Sequence, residues 1–365
     1  MKNHNINLPD YPCEEDLWDK LSREVRPIVC YGMGNGADKL IERFKKYNIE
    51  IADFFASDGF VRGHSFHGKR VLSFSEIKEK YPDFVIVLSF ASNREEVLSM
   101  LCEIESRYEM YIPDMPVAGE EYFDREFFNA NYSEIKRAYD ALCDEQSRKT
   151  FASIIRYKLS GSLEYLENAY SKKDDLYGVL PLENISCIID AGAYNGDTVR
   201  EAKHYFPNLK SVVAIEPDLR NFKKLTRYSE AESDISIKTI NAAVWSEKGF
   251  CSFFGSGNRN STLTATASFE HKDAEVETVS VDSIECGQVD FIKYDIEGAE
   301  LEGLRGSHKT IMAYKPAMLV SAYHRSCDIF SLVNYLGDNY GFYKIYLRRL
   351  RCVPAWELDI LLVNE

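Results

Sequence analysis

The segment CIIDAGAYNGDTVR, residues 187–200, decides the fold class of this chain. A short apolar run leads into a turn that contains Gly192 and Gly196, and Val199 then begins a stripe of apolar residues at helical spacing. A glycine-rich strand-to-helix turn is typical of doubly wound α/β domains, which bind ligands beyond the carboxyl ends of their strands. Glu216 ends the next apolar run, 24 residues after Gly192. Because a carboxylate at a spacing of ~20 accepts hydrogen bonds from ribose hydroxyls in such folds, the segment predicts a ribose-containing ligand.

The charge around this turn separates two candidate cofactors. Asp190 and Asp197 flank the glycines. They would oppose the pyrophosphate of NAD, but they would attract the sulfonium and ammonium groups of S-adenosylmethionine (AdoMet). The two acids are also compatible with a simple role at the helix N-terminus, where acidic side chains are stabilising. Together with Glu216, they favour AdoMet over NAD.

We expect the cofactor to contact the turn, the end of the second strand and the residues that follow the third. These residues are Asp190, Gly192, Ala193, Asn195, Gly196, Asp197, Thr198, Glu216, Pro217, Asn241 and Ala242.

The same strand, turn and helix pattern occurs near the N-terminus. An apolar run at residues 28–31 precedes a glycine turn at 32–36 and a helical stripe. The fold class is therefore predicted as α/β, with two Rossmann-like doubly wound domains joined by a helical connector. We place the N-terminal module at residues 1–113, the connector at 114–184 and the second domain at 185–365, ending in a late strand pair. A Ser-, Thr- and Gly-rich insertion at 249–281 is predicted to form small antiparallel strands over the sheet edge.

Several motifs, in order, resemble the FkbM family of AdoMet-dependent O-methyltransferases. They are IDAGAYNGDT at 189–198, AIEPD at 214–218, VDFIKYDIEGAE at 289–300, LRG at 304–306, KP at 315–316 and YH at 323–324. The resemblance covers about residues 185–363. It implies a class I methyltransferase sheet with an antiparallel C-terminal strand pair, and methyl transfer to a hydroxyl of a saccharide or a polyketide-type product. Family members commonly show Leu-Arg-His where this chain has Leu347-Arg348-Arg349, so the resemblance leaves the acceptor open.

Three residues are candidates for the catalytic chemistry. An alcohol is about as weak an acid as water, with a pKa on the order of 15.7, so methyl transfer to it needs a base or a metal ion. Asp295 ends one predicted strand and His324 follows the next, and neighbouring strands lie about 4.8 Å apart. Both are therefore expected to face one acceptor hydroxyl. Glu297 is expected to orient the substrate. Together, Asp295, Glu297 and His324 also have side chains of the types that bind a divalent cation, but we expect no metal here.

Two neighbours of these residues are given lesser roles. Glu300 is interpreted as an acid in the first turn of the next helix, and Lys293, in the middle of a predicted strand, is given no catalytic role.

The first module carries a weaker set of signals. Residues 29–101 resemble the small Rossmann-like module that precedes the acyltransferase domain in some nucleotide-sugar acetyltransferases, including Asp58-Gly59 and Ser92-Asn93-Arg94. That resemblance implies a sugar-nucleotide phosphate at residues 34–36, paired with Arg94. A module that binds nothing and serves as a scaffold is equally compatible. A redox or epimerase enzyme using NAD is disfavoured, since no catalytic residues support it.

Composition narrows the classes of partner. The 365 residues carry 44 Lys and Arg against 58 Asp and Glu, a net charge of −14, which disfavours nucleic acid and anionic membrane surfaces. There is no apolar run of about 20 residues, so we expect no membrane insertion. The absence of a secretory-type N-terminus and nine scattered cysteines without a C-x-x-C pair predict a cytoplasmic protein. The expected partner is a small-molecule or glycan acceptor, and the main alternative is a non-catalytic protein with a retired methyltransferase domain.

Overall fold

An all-parallel sheet forms in the N-terminal third, as the first glycine pattern predicts. The computed structural model describes Leu8 and residues 15–61, 63–254, 262–264 and 274–364. The sheet has five strands in the order β5-β2-β1-β6-β7. Its central strands, IVCY and VIVL, are buried along their whole length, because helices cover both faces of a parallel sheet. The elements in chain order are α1 (Leu17–Ser22), β1 (Ile28–Tyr31), α2 (Asn35–Lys46), β2 (Ile51–Ala56), β3 (Ser65–Phe66), β4 (Lys69–Arg70), β5 (Leu72–Ser73), α3 (Phe74–Lys80), β6 (Val85–Leu88), α4 (Glu95–Glu105) and β7 (Met110–Tyr111), with a 3-10 helix at Asp58–Phe60.

The predicted connector is helical and, over residues 114–184, all of which are described, contains no strand. Its longest helix begins where the Asp144 side chain accepts from the Ser147 N–H, and it ends at Gly161 in the left-handed conformation. This helix packs on a strand of the second sheet, where Ser147 Oγ accepts the Leu347 N–H at 2.9 Å. The helices are α5 (Arg125–Ala130), α6 (Tyr132–Ala141), α7 (Glu145–Ser160), α8 (Leu163–Asn168) and α9 (Lys173–Tyr177), followed by a 3-10 turn at Leu182–Asn184.

The second sheet confirms the predicted fold class. It has seven strands in the order β10-β9-β8-β15-β16-β18-β17, of which β18 runs antiparallel to both of its neighbours. The remaining pairs are parallel, so their carboxyl ends share one edge. The elements are β8 (Cys187–Ala191), α10 (Asp197–Tyr205), β9 (Ser211–Ile215), α11 (Leu219–Ala231), β10 (Ser236–Ile240), β15 (Phe291–Tyr294), α12 (Glu300–Arg305), α13 (His308–Tyr314), β16 (Ala317–Ser321), α14 (Asp328–Asn339), β17 (Tyr343–Arg349) and β18 (Leu358–Asn364).

Between β10 and β15 lies a separate small sheet. Its strands are β11 (Ala243–Val244), β12 (Gly249–Phe254), β13 (Thr262–Thr264) and β14 (Ala274–Val279), followed by a 3-10 turn at Val281–Ser283. The pairings of β12 are antiparallel, as predicted for the insertion, whereas β11 and β14 pair in parallel. Residues 255–261 and 265–273 of the predicted insertion lie outside the described residues.

One hydrophobic core runs through all three segments. It contains Val29 of the first sheet, Phe151 of the connector and Ile292 of the second sheet, all fully buried. Backbone pairing also joins the N-terminal module to the loop between β17 and β18, because Ser92 and Val353 exchange hydrogen bonds of 2.8 and 2.9 Å. The boundaries at residues 113 and 184 remain predictions. Within the described ranges, we find no helix with the length and apolarity of a membrane span.

Candidate active site

A cavity of about 470 Å³ opens at the carboxyl edge of the second sheet, where the sequence predicts the ligand. Residues from both predicted sets line it, which brings the proposed donor and acceptor groups into one space. The predicted residues on its wall are Gly192, Asp197, Thr198, Glu216, Pro217, Ala242, Asp295 and Glu297.

Four predicted cofactor residues shape the turn from outside the cavity. Ala193 is buried in the core beneath α10, and Gly196 adopts a left-handed conformation at the N-cap of that helix. Asn195 Oδ1 accepts a hydrogen bond from Arg200 at 2.6 Å. The Asn241 amide donates to the carbonyl of Glu216 at 2.8 Å and so holds the end of β9. We therefore infer that these four residues support the glycine turn and the strand end beside it, and that they do not line the cavity.

Gly192 allows the glycine turn to approach the strand beside it. Its φ is +89°, and a Cβ there would lie 1.9 Å from the carbonyl oxygen of Asp295. A side chain at this position is excluded by both the conformation and the contact. The turn and the end of β15 therefore meet backbone to backbone, which sets Asp295 beside the predicted donor turn.

Glu216 faces the cavity in a fixed orientation. Oε2 accepts the Tyr194 N–H at 2.8 Å, and Oε1 accepts the Asp218 N–H at 2.8 Å. Each oxygen keeps a further lone pair for a ligand hydroxyl. Burial raises the pKa of Glu216 to about 8, against the opposing effect of these two N–H groups. The carboxyl group is therefore positioned for hydrogen bonds with a ribose, as its sequence spacing predicts.

Asp190 lies at the end of β8 and is fully buried, so it does not line the cavity. Neither oxygen makes a hydrogen bond of normal geometry within the described part of the chain. Burial raises its pKa to about 7, although the charge of Lys293 acts in the opposite direction. A buried carboxyl group with unmatched oxygens beside the glycine turn fits a cationic ligand better than an anionic one.

Asp295 is the carboxylate that the site keeps ionised. Burial alone would raise its pKa, but the positive charges of Lys293 and His324 outweigh it and hold the pKa below the usual range. Lys293 Nζ lies 3.2 Å from Asp295 Oδ2, and the Tyr323 hydroxyl donates to Oδ1 at 3.2 Å. Lys293 also donates to Thr198 Oγ1 at 3.2 Å. Lys293, to which the sequence analysis gives no catalytic role, is thus the counter-ion of Asp295, the candidate base.

His324 is not on the cavity wall, which corrects the expectation that it faces the acceptor hydroxyl. It lies behind the acids that do: its Nε2 is 3.5 Å from Asp295 Oδ1 and 3.6 Å from Glu297 Oε2. Its Nδ1 is 2.9 Å from Glu300 Oε1. Burial lowers the pKa of His324, but the surrounding carboxylates, led by Glu300, more than reverse this and raise it to about 10. The ring is therefore a buried imidazolium surrounded by three carboxyl groups.

Glu300 and Asp328 were not expected at this site. Glu300 begins α12, as an acid in the first turn should, but its side chain is 1% exposed and accepts the Ile296 N–H at 3.0 Å. Asp328 accepts the Arg325 N–H at 2.7 Å from the other side. Glu300, His324 and Asp328 also have ligand atoms close enough together for a metal ion, a different set from the Asp295, Glu297 and His324 considered from sequence. The signal in the sequence was the DIEGAE motif itself, whose second glutamate follows the first after two small residues.

Glu297 occupies an unusual position in the loop after β15. Its φ is +56°, a backbone conformation that residues other than glycine and asparagine rarely adopt. Burial raises its pKa to about 8, with His324 acting in the opposite direction. At neutral pH, Asp295 and Glu297 therefore differ in charge, although both line the same cavity.

The cavity wall also includes residues from outside the second domain. The connector and the first module contribute Asn93, Val117, Tyr170, Ser171, Lys173, Leu176 and Tyr177. The loop between β17 and β18 contributes Leu350, Arg351, Trp356 and Glu357. Sequence patterns give no sign of these positions, because they reach the site only through the packing of separate segments.

The structure also shows the surroundings of Arg349, Arg94 and Asp58, which the sequence analysis singled out. Arg349, at the place of the family histidine, is fully buried and donates to the carbonyls of Leu166 at 2.9 Å and of Cys352. It holds the connector to the β17–β18 loop. Arg94 is paired with Glu96, and Asp58 accepts the Ser75 hydroxyl at 2.8 Å. A sugar-nucleotide contact of Arg94 remains a prediction.

Comparison with known proteins agrees with this geometry. Residues 190–342 match the methyltransferase FkbM domain. The match spans the glycine turn, Glu216 and the loop with Asp295 and Glu297. A search of the curated proteins found no significant match.

One solved structure shares the fold over almost the whole chain. A methyltransferase FkbM from Methylobacillus flagellatus KT is 19% identical, covers 99% of this chain and 96% of its own, and superposes with a TM-score of 0.67. A putative methyltransferase from Streptococcus mutans in complex with SAH matches 53% of this chain and 99% of its own, at 10% identity and a TM-score of 0.36. The first similarity includes the N-terminal sheet, so the two-sheet arrangement is shared with that protein.

Proposed function

We propose that this chain is an AdoMet-dependent O-methyltransferase that acts on a hydroxyl of a saccharide or glycan precursor. The observation that carries the proposal is Asp295, an ionised carboxylate in the same cavity as Glu216 and Gly192. This places a proton acceptor beside a turn whose charge suits a cationic methyl donor. The matched FkbM domain supports the same class of reaction.

The donor half of the cavity suits AdoMet by charge and by hydrogen-bonding capacity. The lining of the whole cavity includes eight carboxyl groups and three basic groups, an excess of acids that favours a cation. Glu216 has lone pairs for ribose hydroxyls, and the unmatched oxygens of Asp190 add negative potential behind the turn. AdoMet, when bound, supplies a methyl group on a positively charged sulfur.

The acceptor hydroxyl must lose its proton as its oxygen forms the new bond. In the transfer, the oxygen–carbon bond forms, the sulfur–carbon bond breaks, and the electron pair stays on sulfur to leave a neutral thioether. The hydroxyl proton passes to Asp295, which is ionised at neutral pH because Lys293 and His324 stabilise its charge. General-base assistance of this type contributes roughly 10²- to 10⁴-fold in rate.

His324 acts as a positioning residue in this proposal, since Asp295 and Glu297 separate it from the cavity. Its positive charge keeps Asp295 ionised despite burial. Glu297, with its raised pKa, is available as a hydrogen-bond donor to a second acceptor oxygen.

The acceptor half of the cavity has the chemistry of a polyol site. Ser321, Tyr323 and Asp359 present hydroxyl and carboxyl groups, and Trp356 adds an aromatic face. Polar groups that pair with several hydroxyls, beside a ring that packs on their carbon skeleton, suit a sugar better than an apolar alcohol. This supports a saccharide acceptor. The same intact cavity argues against a retired, non-catalytic domain.

The test is methyl transfer by the purified full chain from methyl-labelled AdoMet to a panel of sugars, glycosides and sugar nucleotides. We expect labelled product that needs Asp295, so Asp295→Asn should lower turnover at least about tenfold and leave AdoMet affinity nearly unchanged. Glu201→Gln, on the same wall but away from Asp295, serves as the matched control. If neither AdoMet nor its demethylated product binds at millimolar concentration, the proposal is wrong.

A further inference from the structure

A second cavity, of about 490 Å³, lies at the carboxyl edge of the N-terminal sheet. Its wall combines the turn after β1, the end of β6, the segment after β7 and the loop that carries Pro354 and Trp356. The volume is that of a small-molecule site, for which 300–1,000 Å³ is typical. The proposed reaction does not use this space.

The lining of the second cavity is chemically different from that of the first. Met33, Leu40, Leu88, Phe90, Ile112 and Met115 make most of it apolar. Among the described residues on its wall there is no carboxyl group, whereas the first cavity has eight. Its one basic residue, Lys39, donates to the carbonyls of Pro116 and Val117 at 2.9 and 3.4 Å, and burial lowers its pKa. An uncharged, weakly polar group therefore fits here better than an ion.

The two cavities are neighbours. Val117 and Trp356 line both of them, so one side of each residue faces each space. Backbone hydrogen bonds fix the segments that carry these two residues. Next to Val117, the Ala118 N–H donates to the carbonyl of His324 at 2.8 Å, and in the loop that carries Trp356, Val353 pairs with Ser92. The cavity that contains Asp295 is therefore adjacent to the second cavity, and Val117 and Trp356 form the boundary between them.

We propose that the second cavity binds the non-reacting end of the acceptor, an uncharged ring-bearing group joined to the sugar that is methylated. The inference rests on the proposed function, which it deepens by giving the acceptor two parts. The sugar part occupies the polar space at Asp295, and the ring part occupies the apolar space beside the first sheet. The N-terminal module then selects the acceptor, while the second domain performs the transfer.

The test compares probes with and without a ring on the full chain saturated with the demethylated cofactor. The ring-bearing probes are p-nitrophenyl glycosides of several sugars and, as a second ring type, uridine; methyl glycosides of the same sugars are the matched probes without a ring. We expect the ring-bearing glycosides to bind at least about tenfold more tightly in titrations followed by saturation-transfer NMR. Preference for uridine would identify a nucleoside as the ring part, and preference for the nitrophenyl group an aglycone.

Variants place the ring in the second cavity. Ala91→Trp and Met33→Trp fill it from two different walls and should remove the tenfold advantage without changing the affinity of the methyl glycosides. Val25→Trp, at an exposed site outside the lining, is the control and should change neither. If the demethylated cofactor binds but no ring probe gains affinity, or if both filled variants keep the gain, this inference is wrong and the proposed methyltransferase function is unaffected. Absence of cofactor binding would instead contradict the proposed function.

Discussion

Glu300 Oε1 lies 2.9 Å from His324 Nδ1, and each of the two side chains is about 1% exposed. On its other nitrogen, His324 faces Asp295 and Glu297, which line the cavity. A buried carboxylate is thus linked to a cavity carboxylate through one imidazolium. The pair adds to the effect of Lys293 in stabilising the charge of Asp295, although neither member lines the cavity.

Replacement of Glu300 should change the pH dependence of turnover more than its maximum. Glu300→Gln keeps an oxygen for the Ile296 N–H but removes the charge that most raises the pKa of His324. His324 then loses its proton at a lower pH. Asp295 stays ionised at that pH, but Asp295 and Glu297 lose the positive charge that attracts them and fixes their position, so turnover falls. We expect the alkaline limb of the kcat profile to move down by at least about one pH unit, with AdoMet affinity unchanged.

The control for this variant is Glu302→Gln on the same helix, since Glu302 is partly exposed and paired with Arg305. Its profile should match that of the wild type. An equal loss of turnover at every pH in Glu300→Gln would indicate a purely structural role for Glu300.

Replacement of the Glu216 carboxyl group by an amide should weaken AdoMet specifically. Glu216→Gln retains one carbonyl oxygen but places an amide against one of the two backbone N–H groups that now hold the side chain. The loss of hydrogen bonds to ribose should cost about 1–3 kcal/mol, or roughly 5- to 150-fold in affinity, measured by calorimetry. Glu201→Gln removes a carboxylate from the same wall without touching the ribose position, and it should cause a smaller change. Equal effects would show that only the overall charge matters.

The unliganded protein should lose stability as the pH rises through the neutral range. The pKa values of Glu216 and Glu297 are raised to about 8 and that of His324 to about 10. Each group therefore holds more protons in the folded than in the unfolded state between its ordinary pKa and its raised one. The free energy of unfolding falls with rising pH wherever the native state binds more protons than the unfolded state. The stabilisation from these groups is therefore fully present below about pH 4.5 for the two acids and below about pH 6.5 for His324. It is lost by about pH 8 and 10, respectively.

Thermal unfolding between pH 5 and 10 measures this slope. In Glu297→Gln, an uncharged side chain replaces one of these acids, so its melting temperature should fall less between pH 5 and 8 than that of the wild type. A steeper or unchanged slope in the variant would contradict the assignment of the raised pKa to Glu297.

Gly36 should be required for packing in the first module. A Cβ there would lie 2.1 Å from the carbonyl oxygen of Ser89, so Gly36→Ala forces α2 away from β6 and should cost about 1–3 kcal/mol in urea unfolding. Gly59→Ala, which meets nothing within 4 Å, should change stability by less than about 0.5 kcal/mol. A neutral Gly36→Ala would favour a ligand-binding role for this glycine over a packing role.

The sequence was sufficient for the architecture because local patterns record it. The turns around Gly32 and Gly192 require glycine for steric reasons, and apolar runs such as 28–31 and 317–321 are typical of strands that are buried on both faces of a sheet. The sequence also predicts that Glu216 and Asp295 lie at the same edge of the sheet, since the carboxyl ends of parallel strands share one edge, and both residues line the cavity there.

Only the tertiary structure decides how deeply each side chain of the site is buried and which other groups it contacts. The sequence places His324 beside Asp295, but only packing shows that it lies behind the cavity wall, with Glu300 and Asp328 around it. The second cavity, likewise, exists because the Trp356 loop packs against the N-terminal sheet, more than 200 residues away in the chain. Burial and charge balance depend on which distant segments exclude water from a group, and no local pattern of residues records that.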